Sequence, residues 1–160
     1  MDRRGLFGSL AAFGKRQEQK VIRPPYFSDT SDWNECRECS APCLSACEEK
    51  IIILDAHHSP ILDLSKSGCT YCDACALACE VGVLNPQNRA LIDAKIEIDL
   101  LKCLSWHSTM CFSCKDPCLD DAIKFFGMFR PEIDDKRCTN CGFCIKNCPV
   151  GAIVIKERRG

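Results

Sequence analysis

The chain has 160 residues, with 21 Lys and Arg against 22 Asp and Glu for a formal net charge of -1, and 16 of its residues are cysteine. That length is about one domain's worth, and no run approaches the roughly 18 consecutive apolar residues of a membrane-spanning helix. So many cysteines in so short a chain fit either a disulfide scaffold in an oxidising compartment or a metal-binding protein whose thiols stay reduced.

Residues 1–34 contain no cysteine. Their first 25 positions carry Arg3, Arg4, Lys15, Arg16, Lys20 and Arg23 against Asp2 and Glu18, and Pro24-Pro25 then breaks any helix. This reads as a basic N-terminal arm. Leu6, Phe7, Leu10 and Phe13 fall at helical spacing, which predicts a short amphipathic helix. Arg3-Arg4-Gly5-Leu6-Phe7 echoes a twin-arginine export signal, but Gly8, Ser9 and Gly14 interrupt the apolar stretch and Lys15-Arg16 end it. An export signal needs an apolar core of roughly 7–15 residues and a small-residue cleavage site, so the expected location is the cytoplasm.

The cysteines then arrive in four groups of four. Cys36, Cys39, Cys43 and Cys47 read C-x2-C-x3-C-x3-C and are followed by Lys50–Leu54, a predicted strand. Ile61–Leu64 precedes Cys69, Cys72, Cys75 and Cys79, and Gly82–Leu84 follows them as another predicted strand. Ile96–Asp99 leads to Cys103, Cys111, Cys114 and Cys118, where Leu104–Met110 is inserted after the first cysteine, and Ala122–Phe126 follows. Glu132–Asp134 leads to Cys138, Cys141, Cys144 and Cys148, with Pro149 directly after the last thiol and Ala152–Ile155 beyond. The first cysteines lie 33, 34 and 35 residues apart, an internal repeat. The last two cysteines of each group stand at i, i+4, which predicts a helical turn carrying both on one face. The expected unit is strand, cysteine loop, short helix, strand. The expected fold is α+β: tandem ferredoxin-like modules in two pseudo-symmetric units, residues 35–98 and 99–160, of short strands and short helices.

The second and fourth groups have the C-x2-C-x2-C-x3-C spacing of 4Fe-4S ligands, the fourth with its proline. In two-cluster ferredoxins the fourth cysteine of a run serves the other cluster, so an even number of groups is expected. All sixteen cysteines are therefore candidate ligands, most simply for four 4Fe-4S clusters. Zinc sites also use C-x2-C pairs, but usually with two knuckles separated by a longer loop. Which groups pair is open: first with second and third with fourth, or first with fourth and second with third.

Bound thiols are deprotonated, so four clusters with cores of about +2 lower the net charge to roughly -9. Such a surface favours basic partners and argues against nucleic acid. Trp33, Tyr71, Phe112 and Phe143 lie beside cluster cysteines and are expected to pack over them, while the Trp106 insertion is expected to shield its cluster or meet a partner. His107 and the turn His57-His58 have no expected metal role. No nucleophilic, hydrolytic or phosphate-binding constellation is present in the sequence, so no organic substrate and no catalytic residue is expected.

The chain resembles the ferredoxin-type NapF proteins of periplasmic nitrate reductase systems. The likeness rests on Arg3-Arg4-Gly5, on the run from Cys69-Thr70-Tyr71-Cys72 to Cys79, on the long insert after Cys103, and on Cys138-Thr139-Asn140-Cys141-Gly142-Phe143-Cys144. The gapped third group is its most specific element. The resemblance implies a cytoplasmic protein despite the twin-arginine-like start, one that meets the molybdenum-containing catalytic subunit of the nitrate reductase before export. The implied role is maturation of that subunit or electron supply to it. The alternatives are a permanently bound electron-transfer subunit of a larger redox enzyme, or a redox or iron-sulfur sensor.

Overall fold

The computed structural model describes residues 21–157. The predicted helix over Leu6–Phe13 and the twin-arginine-like start lie outside these residues. The regular elements are α-helices α1 (Pro42–Ala46), α2 (Ala74–Leu77) and α3 (Phe143–Lys146), and strands β1 (Ile52–Leu54), β2 (Pro60–Leu62), β3 (Ala94–Ile98), β4 (Ile123–Phe126), β5 (Phe129–Ile133) and β6 (Ile153–Glu157). Short 3-10 turns cover Trp33–Glu38, Pro86–Asn88 and Leu104–His107. Among the described residues no helix is long and apolar enough to cross a membrane.

The strands form three antiparallel pairs, β1 with β2, β4 with β5 and β3 with β6. Two of them are hairpins that lie between cysteine groups rather than around one. The third joins the strand before the third group to the strand after the fourth, with Ile96 opposite Ile155 and Ile98 opposite Ile153. The acidic residue directly after each of β2, β3 and β5 turns the chain into its cysteine loop. Asp63, Asp99 and Asp134 extend the ladders by donating their amides to the carbonyls of Ile51, Ala152 and Ala122 at 2.7, 2.7 and 2.8 Å. Their carboxylates then accept from the amide two residues on, at Ser65, Leu101 and Lys136. This Asx turn satisfies backbone donors that would otherwise be lost at the strand end.

Two expected elements are absent. Gly82–Leu84 is not a strand: Gly82 sits at φ +71°, and the Leu84 amide is directed to Cys79 Sγ at 3.3 Å rather than to a ladder. The third group has no α-helix either, and Ser113–Pro117 forms turns. The i, i+4 reading also needs correction in the other groups. Helices α1, α2 and α3 end before Cys47, Cys79 and Cys148, so the third and fourth thiols leave in different directions.

Two apolar clusters fill the interior. One gathers Tyr26, Ile51, Ile52, Leu62, Leu64, Leu84, Ile92 and Ala94; the other gathers Ile96, Ile123 and Ile153. Both include buried cysteines. Residues 22–34, grouped by sequence with the basic arm, lie against the first cluster. Leu62 donates to Ile22 O at 2.7 Å, Asn85 to Tyr26 O at 2.8 Å and Ala90 to Pro25 O at 2.9 Å, and the Tyr26 side chain is 1% exposed.

Arg23 ties this segment to the first hairpin. Its guanidinium bonds Asp55 at 3.0 Å and the Pro60 carbonyl at 3.0 Å while lying 4.4 Å from the Trp33 ring centroid. Asp55 also accepts from the amides of His57 at 2.8 Å and Ser59 at 3.0 Å. Burial alone would raise the Asp55 carboxyl, but these amides and the Arg23 cation outweigh it and hold the group below its ordinary value. A carboxylate depressed in the folded state stabilises fully above its unfolded pKa of about 4, and that contribution fades as pH falls through the folded value. Asp55→Ala is therefore expected to cost about 1–3 kcal/mol at pH 7. In paired anaerobic unfolding curves the gap between variant and wild type should narrow on acidification below about pH 4; a gap independent of pH would contradict the assignment.

Candidate metal centres

The cysteine loops of the second and fourth groups share an unusual backbone. Tyr71 and Asp73 are left-handed at φ 54° and 61°, as are Asn140 at 58° and Gly142 at 87°. Left-handed conformations cost an L-residue roughly 1–2 kcal/mol, least for Gly, Asn and Asp. Asp73, Asn140 and Gly142 are of the tolerant types; Tyr71 is not. The alternation curls the loop so that backbone amides face sulfur: Tyr71 N–H donates to Cys69 Sγ at 3.4 Å. In the first group Ala41 is left-handed at φ 55° and its amide donates to Cys39 Sγ at 3.4 Å. Cysteine spacing alone does not show this turn chemistry, for which Asp73 and Asn140 are the available signal.

Three groups each contribute three thiols to one cavity, where the fourth thiol of a neighbouring group joins them. Cys36, Cys39 and Cys43 line a cavity with Cys79, and Cys69, Cys72 and Cys75 line a second with Cys47. In the other half, Cys103, Cys111 and Cys114 line a cavity with Cys148. Of the remaining four, Cys118 and Cys138 pack against the buried cluster that holds Cys144, and Cys141 lies between Cys138 and Cys144 in the same loop. Twelve of the predicted cysteines are thus brought together in fours, with first and second groups crossed and Cys148 crossed to the third group, while Cys118 packs with the fourth. These are called below the first, second, third and fourth cavities, after the group that supplies three thiols.

The fourth cysteine is fixed by the chain just beyond it. Amides of Leu84, Ala122 and Ala152 donate to Cys79, Cys118 and Cys148 Sγ at 3.3, 3.3 and 3.1 Å. Such donors favour a charged sulfur and shift the potential of a bound centre upward. The third cysteine of each group is buried, as is Cys36. Burial, reinforced by neighbouring thiols, pushes Cys75, Cys114 and Cys144 up to about 12 and Cys36 to about 11. Without a cationic centre these thiols hold their protons; a metal must displace them.

This donor set fits a polynuclear iron-sulfur core. Four sulfurs line each of three cavities, with Glu48, Glu49 and Asp73 bordering the second and His58 the first, a predominantly soft thiolate set. Among the described residues no group of three or more His, Cys, Asp and Glu side chains could hold a single metal ion.

The insertion in the third group is a folded turn rather than an open loop. Ser105, 1% exposed, donates to the Cys111 carbonyl at 2.7 Å, and Trp106 Nε1 donates to the Pro131 carbonyl at 3.2 Å. This closure returns the chain so that Cys103 and Cys111 meet in one cavity. The aromatic residues divide differently from expectation. Trp33 is occupied by Arg23 and by Phe27 at 5.4 Å, and Phe112 stacks on Phe125 at 4.7 Å while 39% exposed. His58, given no role by sequence, stands at the lip of the first cavity and donates Nε2–H to the Cys39 carbonyl at 3.2 Å.

Comparison with known proteins agrees with this donor chemistry. Residues 130–153 match a family described as a 4Fe-4S binding domain. The chain is 34% identical over 143 residues to the ferredoxin-type protein NapF of Escherichia coli, covering 86% of both proteins. It is 32% identical over 161 residues to NapF of Haemophilus influenzae, covering 96% of this chain and 90% of the relative. The methylamine utilization ferredoxin-type protein MauM of Methylorubrum extorquens is 26% identical over 163 residues, covering 88% and 74%. With cysteines grouped as iron-sulfur chemistry requires and this likeness along most of its length, the chain belongs to the ferredoxin-type NapF family of iron-sulfur proteins.

Proposed function

We propose that the sixteen cysteines hold four 4Fe-4S clusters, and that the protein is a cytoplasmic maturation or electron-supply factor for the molybdenum-containing catalytic subunit of a periplasmic nitrate reductase. The observation that carries the cluster reading is the crossed sharing of thiols. Three cysteines of one group and the fourth of its neighbour line each of three cavities, which is the ligand exchange of two-cluster ferredoxins. The partner is inferred from membership of the NapF family. In this reading the chain is two pseudo-symmetric ferredoxin-like units, 35–98 and 99–160, behind a basic arm of residues 1–34 whose last third packs on the first unit.

When bound, the clusters supply one-electron chemistry. The protein's own part is to enclose sulfur, to aim amides at it and to keep the thiolates in place. The sixteen thiolates and a surface rich in Asp and Glu give the loaded protein an acidic body, suited to basic docking segments. No catalytic residue is assigned. Permanent attachment to a larger redox enzyme is the second reading, favoured by the exposed apolar side chains of Leu101, Met110, Phe126 and Met128, at 87%, 63%, 63% and 58% exposure.

Anaerobic reconstitution with iron and sulfide is expected to load about 16 iron atoms per chain; a plateau near half that number would contradict four clusters. Capture from the native host under gentle conditions should retrieve the unexported molybdenum subunit transiently. A stoichiometric complex surviving purification would favour the subunit reading instead. The crossed assignment has its own test in Cys79→Ala. Iron should fall by about a quarter, and Cys36, Cys39 and Cys43 should become open to alkylation while Cys69, Cys72 and Cys75 stay protected. The reverse pattern would show that each group binds its own fourth cysteine.

A further inference from the structure

Resting on the reading that the cavities hold clusters, we propose that the four centres form one electron path in the order first, second, fourth, third, and that Tyr71 is the positioning residue where the path crosses between the two halves. Within each half the link runs through the third cysteines. Helices α1 and α2 pack together, and Cys43 of the first cavity and Cys75 of the second share one buried cluster. Cys114 of the third cavity and Cys144 of the fourth likewise share one buried cluster. The first and third cavities therefore stand at the ends.

The crossing is made by the second and fourth cysteine loops. The Cys69 amide donates to the Cys141 carbonyl at 2.7 Å, so residues that contribute thiols to two different cavities are joined by one backbone hydrogen bond. Tyr71 spans the same seam. Its hydroxyl donates to the Thr139 carbonyl at 2.5 Å and accepts from the Ile92 amide at 3.1 Å, while its own amide serves Cys69 Sγ. The buried Asn140 side chain answers from the other side, donating Nδ2–H to the Ile92 carbonyl at 3.3 Å.

Close packing fixes the separation. A Cβ on Gly68 would meet the Phe143 ring and amide at 2.6 Å, and one on Gly142 would meet Leu64 at 2.9 Å. The two loops approach as nearly as backbone allows, and only glycine fits at either point of contact. This accounts for Tyr71 at positive φ. A strained backbone that persists must be held by its surroundings, and here the hydroxyl bridge between halves holds it. An electron crossing this seam oxidises the group in the second cavity by one electron and reduces the group in the fourth by one; no bond forms and no proton moves.

The test uses the reconstituted full-length chain. In Cys39→Ala/Cys111→Ala, which leaves only the second and fourth cavities with four thiols, dithionite reduction should give an EPR spectrum broadened by spin–spin interaction. A simple sum of two isolated signals, at about eight iron atoms per chain, would overturn the proposed order while leaving the cluster reading intact. Tyr71→Phe in that background should keep the iron and weaken the interaction; an unchanged spectrum would remove Tyr71 from the role. Amide hydrogen exchange on the loaded protein without the cysteine changes tests the seam independently. Tyr71→Phe should speed exchange at Ile92 and in residues 138–143 together, by about three- to tenfold for the loss of one hydrogen bond. Faster exchange confined to 69–72 would overturn the crossing.

Discussion

Everything in this molecule depends on the fourth cysteine of each group leaving its own loop. In three groups a helix of four or five residues, and in the third group a run of turns, carries the third thiol inward and stops, and the next residues carry the fourth thiol toward a neighbouring site. The amides of Leu84, Ala122 and Ala152 then hold three of these sulfurs in place. Because each cavity needs thiols from two groups, neither group of a pair can complete its site alone. The cavities thereby act as long-range cross-links. That suits a chain whose strands come only in pairs and whose apolar clusters are small, since such cores supply little stability by themselves.

The acidic residues Asp63, Asp99 and Asp134 show how local chemistry serves that end. Each closes a strand, caps the following turn with its carboxylate, and so sets the direction in which the next cysteine loop departs. The left-handed residues in the loops do the complementary work of turning amides toward sulfur. Their strain is of the order of a kcal/mol or two per residue, offset by hydrogen bonds to groups that carry charge once metal is bound.

Much of this was legible in the sequence, because ligand chemistry leaves a strict pattern. The four groups and most strands followed from spacing and alternation, and the 33- to 35-residue repeat exposed the modular plan. Pairing was not legible. Adjacent and nested arrangements use the same residues at the same spacing, and only the cavities that gather thiols of two neighbouring groups distinguish them. Gly82–Leu84 misled because its apolar residues satisfy strand propensity, whereas its amides are directed to Cys79 and the backbone turns at Gly82. Tyr71 looked like an aromatic shield for a cluster. Its hydroxyl contacts with Thr139 and Ile92, 68 and 21 residues away, leave no local trace.

The central claim is that every centre is bounded by three thiols of one group and one of its neighbour. Anomalous diffraction at the iron absorption edge from crystals of the loaded protein tests it most directly. The account predicts four iron cores, the first ringed by Cys36, Cys39, Cys43 and Cys79 and the others by the corresponding crossed sets. A core ringed by all four cysteines of a single group would contradict it.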